Sequence, residues 1–242
     1  MKARFLWRAY RARYRDQVAE LATLRRHIHR GDTVCDIGAN KGAYTYWLSH
    51  WARSGRVIVF EPQEQLAHYL AHACDALALR NVTVEAKAVH ARTGSTTLYI
   101  PTERGDSPGA SLSRHITDQQ HGRSVSVPVV ALDDYFAPDH RIAALKIDVE
   151  GAEMGVFEGA RRILTEHAPL LVFECENRHL MSGSVWDAFH YLGSLGYSGE
   201  FVCGRALRPL SDFDPSIHQR QTGDRFWTAG TYCNNFVFQM TN

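Results

Sequence analysis

Two carboxylates and a glycine turn lie near the start of the chain at spacings that suit a nucleoside cofactor. Asp36 lies near the end of the apolar run TVCDI, Gly38 and Gly42 follow, and an aromatic-rich helical pattern begins. Glycines let a backbone approach its ligand closely, and a helix start offers unpaired N–H groups. Glu61 closes the next apolar run, 25 residues after Asp36, where an acid can accept both ribose hydroxyls.

One of the three residues between the two glycines, Asn40, helps to indicate the kind of cofactor. The dinucleotide fingerprint has glycine at its third position, where this chain has Asn40, so no crowded pyrophosphate turn is indicated. A DxGxxxG turn suits a cofactor with an amino-acid end, whose ammonium Asp36 would receive through water or backbone contacts. An acid turn and a ribose acid without a phosphate loop together indicate S-adenosylmethionine (SAM). The predicted cofactor contacts are Asp36, Gly38, Asn40, Gly42, Glu61, Pro62, Ala88, Val89 and Asp148.

A second group of acids lies in the runs LKIDVEG and LVFECEN. Methyl transfer needs a nucleophilic oxygen aligned behind the methyl group and help in removing its proton. The candidates for this catalytic role are Asp148, Glu150 and Glu174. Two mechanisms stay open: a direct base, with His90, His115 and His179 as further candidates, or a divalent cation held by Asp148 and Glu174. A metal is not required by the sequence.

The order of elements predicts an α/β fold. Apolar runs at 33–37, 56–62 and 81–89 alternate with helical patterns at 43–52 and 64–79, which is typical of a parallel sheet. The pattern resumes with strands at 143–151 and 169–177, each followed by a helix, at 152–167 and 184–197. We expect 199–204 and 234–240 to pair antiparallel. Between the half-exposed strands 95–100 and 124–132 lies a polar flap, where Ser111 and His115, with Glu176 from the fifth strand, are predicted to contact the substrate.

These motifs resemble the FkbM family of methyltransferases. The resemblance rests on DIGANKGAYT, VIVFEP, GASL, VPVVALDDY and, above all, LKIDVEGAEMGVFEGARRIL followed by LLVFE, and it runs from Thr33 to Phe238. It implies a Rossmann-like class I methyltransferase sandwich, with a mostly parallel seven-stranded sheet and an antiparallel last strand. It also implies SAM as methyl donor and O-methylation of a hydroxyl on a sugar, glycan or secondary metabolite.

The first 30 residues fall outside this resemblance and are strongly basic. Nine basic and two acidic residues give them a net charge of +7, which leaves −6 for the remaining chain. Apolar residues recur at helical spacing over 4–29, so we expect one basic N-terminal helix (1–30) beside a methyltransferase domain (31–242). Such a helix is typical of either a solvated face or a docking element for anionic lipid or a protein partner. Specific nucleic-acid binding is not expected.

Composition places the chain among globular proteins. It has 242 residues, no apolar run long enough for a transmembrane helix, no secretory signal pattern, and five scattered cysteines that we expect to be reduced. A cytoplasmic protein, with peripheral membrane contact as an option, is therefore expected. Two other functions remain open: a methyltransferase-fold protein that only binds, and a nicotinamide-dependent oxidoreductase, against which Asn40 and the lack of a Tyr-xxx-Lys pair count.

Overall fold

A single mixed sheet organises the chain. The computed structural model describes residues 1–100, 110–112, 123–223, 226–228 and 230–241. The main sheet in this part of the chain has eight strands in the order β10-β9-β11-β8-β7-β1-β2-β3. Their bounds are β1 Thr33–Ile37, β2 Arg56–Phe60, β3 Val82–Glu85, β7 Ala144–Ile147, β8 Leu170–Glu174, β9 Tyr197–Cys203, β10 Ala206–Pro209 and β11 Asn235–Met240.

The predicted mixture of parallel and antiparallel pairs is confirmed. Strands β3, β2, β1, β7 and β8 are all parallel, whereas β11 runs antiparallel to both β8 and β9. The pairing of β9 with β11 agrees with the expected pairing of 199–204 with 234–240. The short edge strand β10, antiparallel to β9, adds an eighth strand to the seven that were expected.

A small second sheet lies over the carboxyl end of the first. It has the order β4-β6-β5, with β4 Ala88–Val89, β5 Gly94–Ile100 and β6 Arg123–Val130. The prediction of one strand over 81–89 was therefore wrong, because the chain leaves the main sheet after Glu85 and Ala88–Val89 pairs with β6 instead. Ser111 forms an isolated bridge with Tyr99 of β5, which ties part of the flap to this sheet.

Helices cover both faces of the main sheet. Along β1 the side chains alternate, so Val34 faces one buried cluster and Cys35 the other, as expected for a strand buried on both sides. The first face carries α1 Lys2–Arg11, α2 Val18–His27, α3 Thr45–Ala52 and α4 Glu64–Ala76. The second carries α5 Leu132–Tyr135, α6 Glu153–Glu158, α7 Arg161–Glu166 and α8 Val185–Ser194; a short α9, Pro215–His218, follows β10. None of the described helices combines the length and apolar character needed to cross a membrane.

Two of the predicted helices are each split in the structure. The N-terminal helix is interrupted by a π-helical segment, Ala12–Asp16, and by Gln17, whose φ of −131° lies outside the helical range. The helix predicted at 152–167 divides into α6 and α7 at Gly159, where an added Cβ would lie 2.2 Å from the His90 carbonyl oxygen. A close backbone contact therefore requires glycine at this break.

The N-terminal helices belong to the hydrophobic core. Phe5, Leu21, Leu24 and Ile28 are each 0–2% exposed and share one cluster with the sheet. The Trp47 indole N–H donates to the carbonyl of Ala9 at 2.7 Å, which fixes α1 against α3. Although this segment lies outside the family resemblance, its apolar face is as buried as the sheet itself.

We expect Phe5→Ala to lower the free energy of unfolding by about 3–5 kcal/mol, because it leaves a cavity in a fully packed cluster. Urea denaturation followed by circular dichroism measures this. Arg4→Ala, an exposed change on the same helix, is the control and should stay within about 0.5 kcal/mol of the wild type. Equal stability of the two variants would mean that α1 is only loosely attached to the core.

Candidate active site

A buried lysine links the ends of the two central strands. The register of β1 and β7 sets Asp36 opposite Lys146. The Lys146 Nζ lies 3.6 Å from Asp36 Oδ1 and 3.5 Å from Asp148 Oδ2, and it donates to the Gly38 carbonyl at 3.3 Å. Burial alone would lower the pKa of Lys146, but the charges of Asp148 and Asp36 outweigh it and raise the pKa. The ammonium therefore stays charged and holds the motif turn to β7.

The glycine turn is needed for a close approach of two backbones. Gly38 has a φ of +73°, and a Cβ added there would lie 1.8 Å from the Asp148 carbonyl oxygen. Asn40 also takes a left-handed conformation, with a φ of +49°, which asparagine tolerates better than most residues. In this conformation its backbone N–H points at Glu61 and donates to Oε2 at 2.8 Å.

Glu61 is held in place by backbone groups alone among the hydrogen bonds described here. Its Oε1 accepts from the Gln63 N–H at 2.9 Å, and its Oε2 from Asn40. Burial raises the pKa of Glu61 to about 7, although these two hydrogen bonds oppose the rise. A carboxylate has about four acceptor positions, so Glu61 retains capacity for two further donors. An acid fixed in this way suits a ribose diol.

A cavity of about 560 Å³, mouth included, opens beside Glu61 at the carboxyl ends of β1, β2 and β7. This is where ligands bind in open α/β sheets. Its apolar wall comes from the second sheet and the flap, and its polar wall from the motif turn and the residues after β7. Nine predicted site residues line it: Gly38, Asn40, Glu61, Pro62, Ala88, Val89, Ser111, Asp148 and Glu150.

Two predicted cofactor contacts, Asp36 and Gly42, do not line this cavity. Asp36 is 0% exposed, accepts a hydrogen bond from the Thr45 hydroxyl at 2.6 Å and faces Lys146. Gly42 packs away from the cavity, and a Cβ there would lie 2.5 Å from the Phe5 ring. The prediction that these two residues contact a cofactor across the cavity is therefore corrected. Asp36 supports the turn from beneath, and Gly42 leaves room for α1.

The acids after β8 also lie outside the cavity. Glu176, predicted to contact substrate, is 1% exposed and accepts hydrogen bonds from Arg178, Asn234 and Tyr232. Burial would raise its pKa, but the bonds from Arg178 and Tyr232 outweigh burial and lower it to about 2. Glu176 is thus committed to a structural network, and no oxygen of it faces the cavity.

Glu174 and Glu150 have different partners. Burial, followed by the charge of Asp148, raises the pKa of Glu174 well above its ordinary value. The side chain of Glu150 lies 2.9 Å from His179 Nδ1, and burial raises its pKa while this contact opposes the rise. The predicted catalytic set is therefore divided, since Asp148 and Glu150 line the cavity and Glu174 does not.

The flap and the loop after β7 meet at Ser111. Its hydroxyl donates to the Glu150 carbonyl at 2.5 Å, and Ser111 is 1% exposed. Glu150 has a φ of +53°, an uncommon conformation for a non-glycine residue that the contact with Ser111 helps to hold. Ser111 thus lines the cavity while its hydroxyl bonds the backbone.

The three candidate histidines have different positions. His90 lines a neighbouring cleft with Gly151 and Met154, and His179 is buried against Glu150. His115 lies outside the described residues, as do Gly109 and Ser113 of the flap. Among the residues that the structure describes, no group of three or more His, Cys, Asp or Glu side chains is placed to hold a metal ion.

Several cavity residues carry no signal in the sequence. Gln63, Lys87, Leu98, Ala110 and Leu112 line the cavity. Position after a predicted strand could have indicated Gln63, which follows the run 56–62, whereas Lys87 falls inside the run predicted as one strand over 81–89. The others come from the second sheet and the flap, whose placement over the first sheet no local pattern specifies.

The fold is that of the class I methyltransferases. The model of the methyltransferase FkbM domain matches residues 36–198, more than half of the chain. The chain therefore belongs to the FkbM family of SAM-dependent methyltransferases, as the sequence resemblance predicted. No curated protein compared with the chain matches it.

Solved structures agree on the fold. A methyltransferase FkbM from Methylobacillus flagellatus superimposes with a TM-score of 0.56 at 19% identity, over 95% of this chain and 47% of that one, so this chain spans about half of its length. SMU.1697c from Streptococcus mutans is assigned as a methyltransferase, and its structure contains S-adenosylhomocysteine (SAH). It superimposes with a TM-score of 0.52 at 13% identity, over 91% of this chain and 94% of that one. Precorrin-6y C5,15-methyltransferase from Geobacter metallireducens gives 0.51 at 14% identity over 94% and 87%.

The raised pKa of Glu61 predicts a pH effect on stability. A carboxyl group that holds its proton more tightly when folded makes the protein less stable as pH rises from about 4.5 to about 7. We expect Glu61→Gln to reduce the loss of unfolding free energy between pH 5 and pH 8 by about 2–3 kcal/mol. Urea denaturation at the two pH values measures it, with exposed Glu64→Gln as control. An equal pH dependence in wild type and Glu61→Gln would show that Glu61 ionises normally when folded.

Proposed function

We propose that this protein transfers the methyl group of SAM to a hydroxyl oxygen of a sugar, a glycan or a secondary metabolite. The observation that carries the proposal is the meeting of Glu61 and Asp148 in one cavity at the carboxyl ends of the central strands. Family membership supports SAM as the donor. The O-methylation of such acceptors is what the family resemblance implies, and the acidic side chain at the cavity's inner wall supports it.

The residues of the cavity fit the donor. Among the described residues Glu61 accepts hydrogen bonds from two backbone N–H groups and from no cationic side chain, so two ribose hydroxyls would complete its bonding. Ala88, Val89 and Leu98 offer a small apolar surface for a flat base. Gly38 leaves the backbone of the motif turn uncovered at the same cavity. These three features correspond to the three parts of SAM: ribose, adenine and amino-acid arm.

Asp148 is the residue that we assign to proton removal from the acceptor. When bound, SAM would supply a methyl group on a sulfonium, whose carbon an acceptor oxygen can attack in line with the C–S bond while SAH leaves. The Asp148 side chain is 31% exposed, and the Lys146 ammonium 3.5 Å from its Oδ2 fixes its position. An acceptor hydroxyl within hydrogen-bond reach of Asp148 would donate its proton there as the new bond forms. Glu150 lines the same cavity, but its carboxyl group is already in contact with the imidazole of His179.

Glu61→Ala should weaken SAH binding by at least about tenfold, because each lost hydrogen bond to a charged group is worth about 1.5–3 kcal/mol. Isothermal titration calorimetry with purified SAH measures the dissociation constant. Glu64→Ala, which removes an exposed acid three residues further on, is the matched control and should bind like the wild type. An unchanged affinity in Glu61→Ala would remove Glu61 from the donor site.

Asp148→Asn should lower turnover by about 10²–10⁴, the usual range for general acid–base help, while SAH affinity changes little. The assay uses labelled SAM with a panel of glycans and cell extracts, and follows label in the acceptor. A chelator with the wild type tests the cation alternative, because a rate lost to chelator and restored by Mg²⁺ or Mn²⁺ would indicate a bridged metal. Full activity of Asp148→Asn would move the base to a histidine, and SAH binding without transfer to any acceptor would favour a silent binding protein.

A further inference from the structure

A second concavity adjoins the donor cavity on the side of the N-terminal helices. It is lined by α1 and the π-helical segment on one side and by the motif turn on the other, and we call it the N-terminal groove. Gly38, Asn40 and Asp148 line both the groove and the donor cavity. A molecule in the groove would therefore reach the acid to which we assign proton removal.

The groove has an excess of positive charge. Among the residues that the structure describes, four basic side chains and two acidic ones line it: Arg8, Arg11, Lys41, Lys146, Asp16 and Asp148. Lys146 is neutralised by its buried acids, and Arg11 donates to Asp16 at 2.7 Å. Arg8 makes no ion pair with any described residue. Its Nη1 instead donates to the Tyr69 hydroxyl at 3.1 Å, which orients the guanidinium and leaves other N–H groups for a ligand.

An aromatic ring stands beside these charges. Trp7 lines the groove, is 57% exposed, and has the Arg11 guanidinium carbon 5.1 Å from its ring centroid. An exposed tryptophan held by a stacked arginine presents a flat apolar face, which suits the C–H face of a sugar ring. Arg8 lies one residue further along the same helix.

We propose that the N-terminal groove binds the acceptor, and that this acceptor is an anionic hydroxyl compound such as a uronic acid or a sugar phosphate. Arg8 would hold the phosphate or carboxylate, Trp7 the ring, and Asp148 the hydroxyl to be methylated. The inference rests on the proposed function, since it takes Asp148 as the reacting end of the groove. It assigns acceptor recognition to residues that lie outside the segment matched by the family, 36–198.

Equilibrium binding to the full-length protein tests this without an activity assay. Calorimetry on the SAH-saturated protein would compare inorganic phosphate and the matched pair of glucuronic acid and glucose, which differ in one carboxylate. We expect glucuronic acid to bind at least about tenfold more tightly than glucose, as a charge-assisted pair with arginine requires. Arg8→Gln should remove this preference. Trp7→Ala should weaken the binding of glucuronic acid more than the binding of phosphate.

Arg4→Gln is the matched control, because Arg4 is exposed on the same helix and does not line the groove. Equal losses of glucuronic acid affinity in Arg4→Gln and Arg8→Gln would show unspecific attraction to a basic helix. Binding of both variants to anionic vesicles would point to lipid as the partner. Either result overturns the proposal. The proposal would also be overturned if phosphate and glucuronic acid bound no more tightly to the wild type than to Arg8→Gln.

A donor arm in the groove is the competing occupant. SAH carries an amino-acid carboxylate and methylthioadenosine does not, so a loss of SAH affinity but not of methylthioadenosine affinity in Arg8→Gln would assign the groove to the donor. Failure of the proposed function is distinguishable from these outcomes, because it would show as a wild type that binds no SAH or transfers no label to any acceptor, whatever its affinity for glucuronic acid and phosphate.

Discussion

The charge of Lys146, enclosed between Asp36 and Asp148, is the interaction on which the site depends. Removing one partner of a buried ion pair commonly costs about 3–5 kcal/mol, because an uncompensated charge remains inside the protein. Here the pair also sets geometry. Asp36 belongs to β1 and Asp148 follows β7, so one ammonium fixes the relative positions of the glycine turn and the acid that faces the cavity. The arrangement tolerates no side chain at Gly38, where the backbones converge.

The N-terminal helices pack on one face of the main sheet, next to the motif turn. Val34 and Ala144 are buried on that face with Leu21, Leu24 and Phe5. A Cβ at Gly42 would meet the Phe5 ring at 2.5 Å, so the motif turn and α1 are packed against each other directly. Consequently the helix that gives the groove its arginines is packed directly against the turn that we propose to bind the donor. The N-terminal segment, expected from the sequence to be a solvated face or a docking element, therefore also packs against the motif turn.

Much of the fold follows from local patterns, and the exceptions have physical causes. The run TVCDI is the strand Thr33–Ile37 because it is buried on both faces and bounded by Asp32 and a glycine turn. By contrast, nothing in NVTVEAKAV shows that the chain changes sheets between Glu85 and Ala88. Glu61 could be placed at the cavity from its spacing, whereas the burial of Asp36 depends on Lys146, over a hundred residues away. Long-range contacts of this kind carry no periodic signal.

The four acids after β7 and β8 show how burial assigns different states to the same chemical group. Glu176 is stabilised as a carboxylate by Arg178 and Tyr232, and this favours a proton on its neighbour Glu174. Glu150 is engaged by His179. Asp148 is 31% exposed, and among these four acids it alone lines both the donor cavity and the N-terminal groove. A ligand in either concavity would therefore meet this carboxylate, whereas Glu150 and Glu176 are engaged by His179 and Arg178. The different states of these four acids follow from their hydrogen-bond partners and from their access to solvent, which the residue types alone do not reveal.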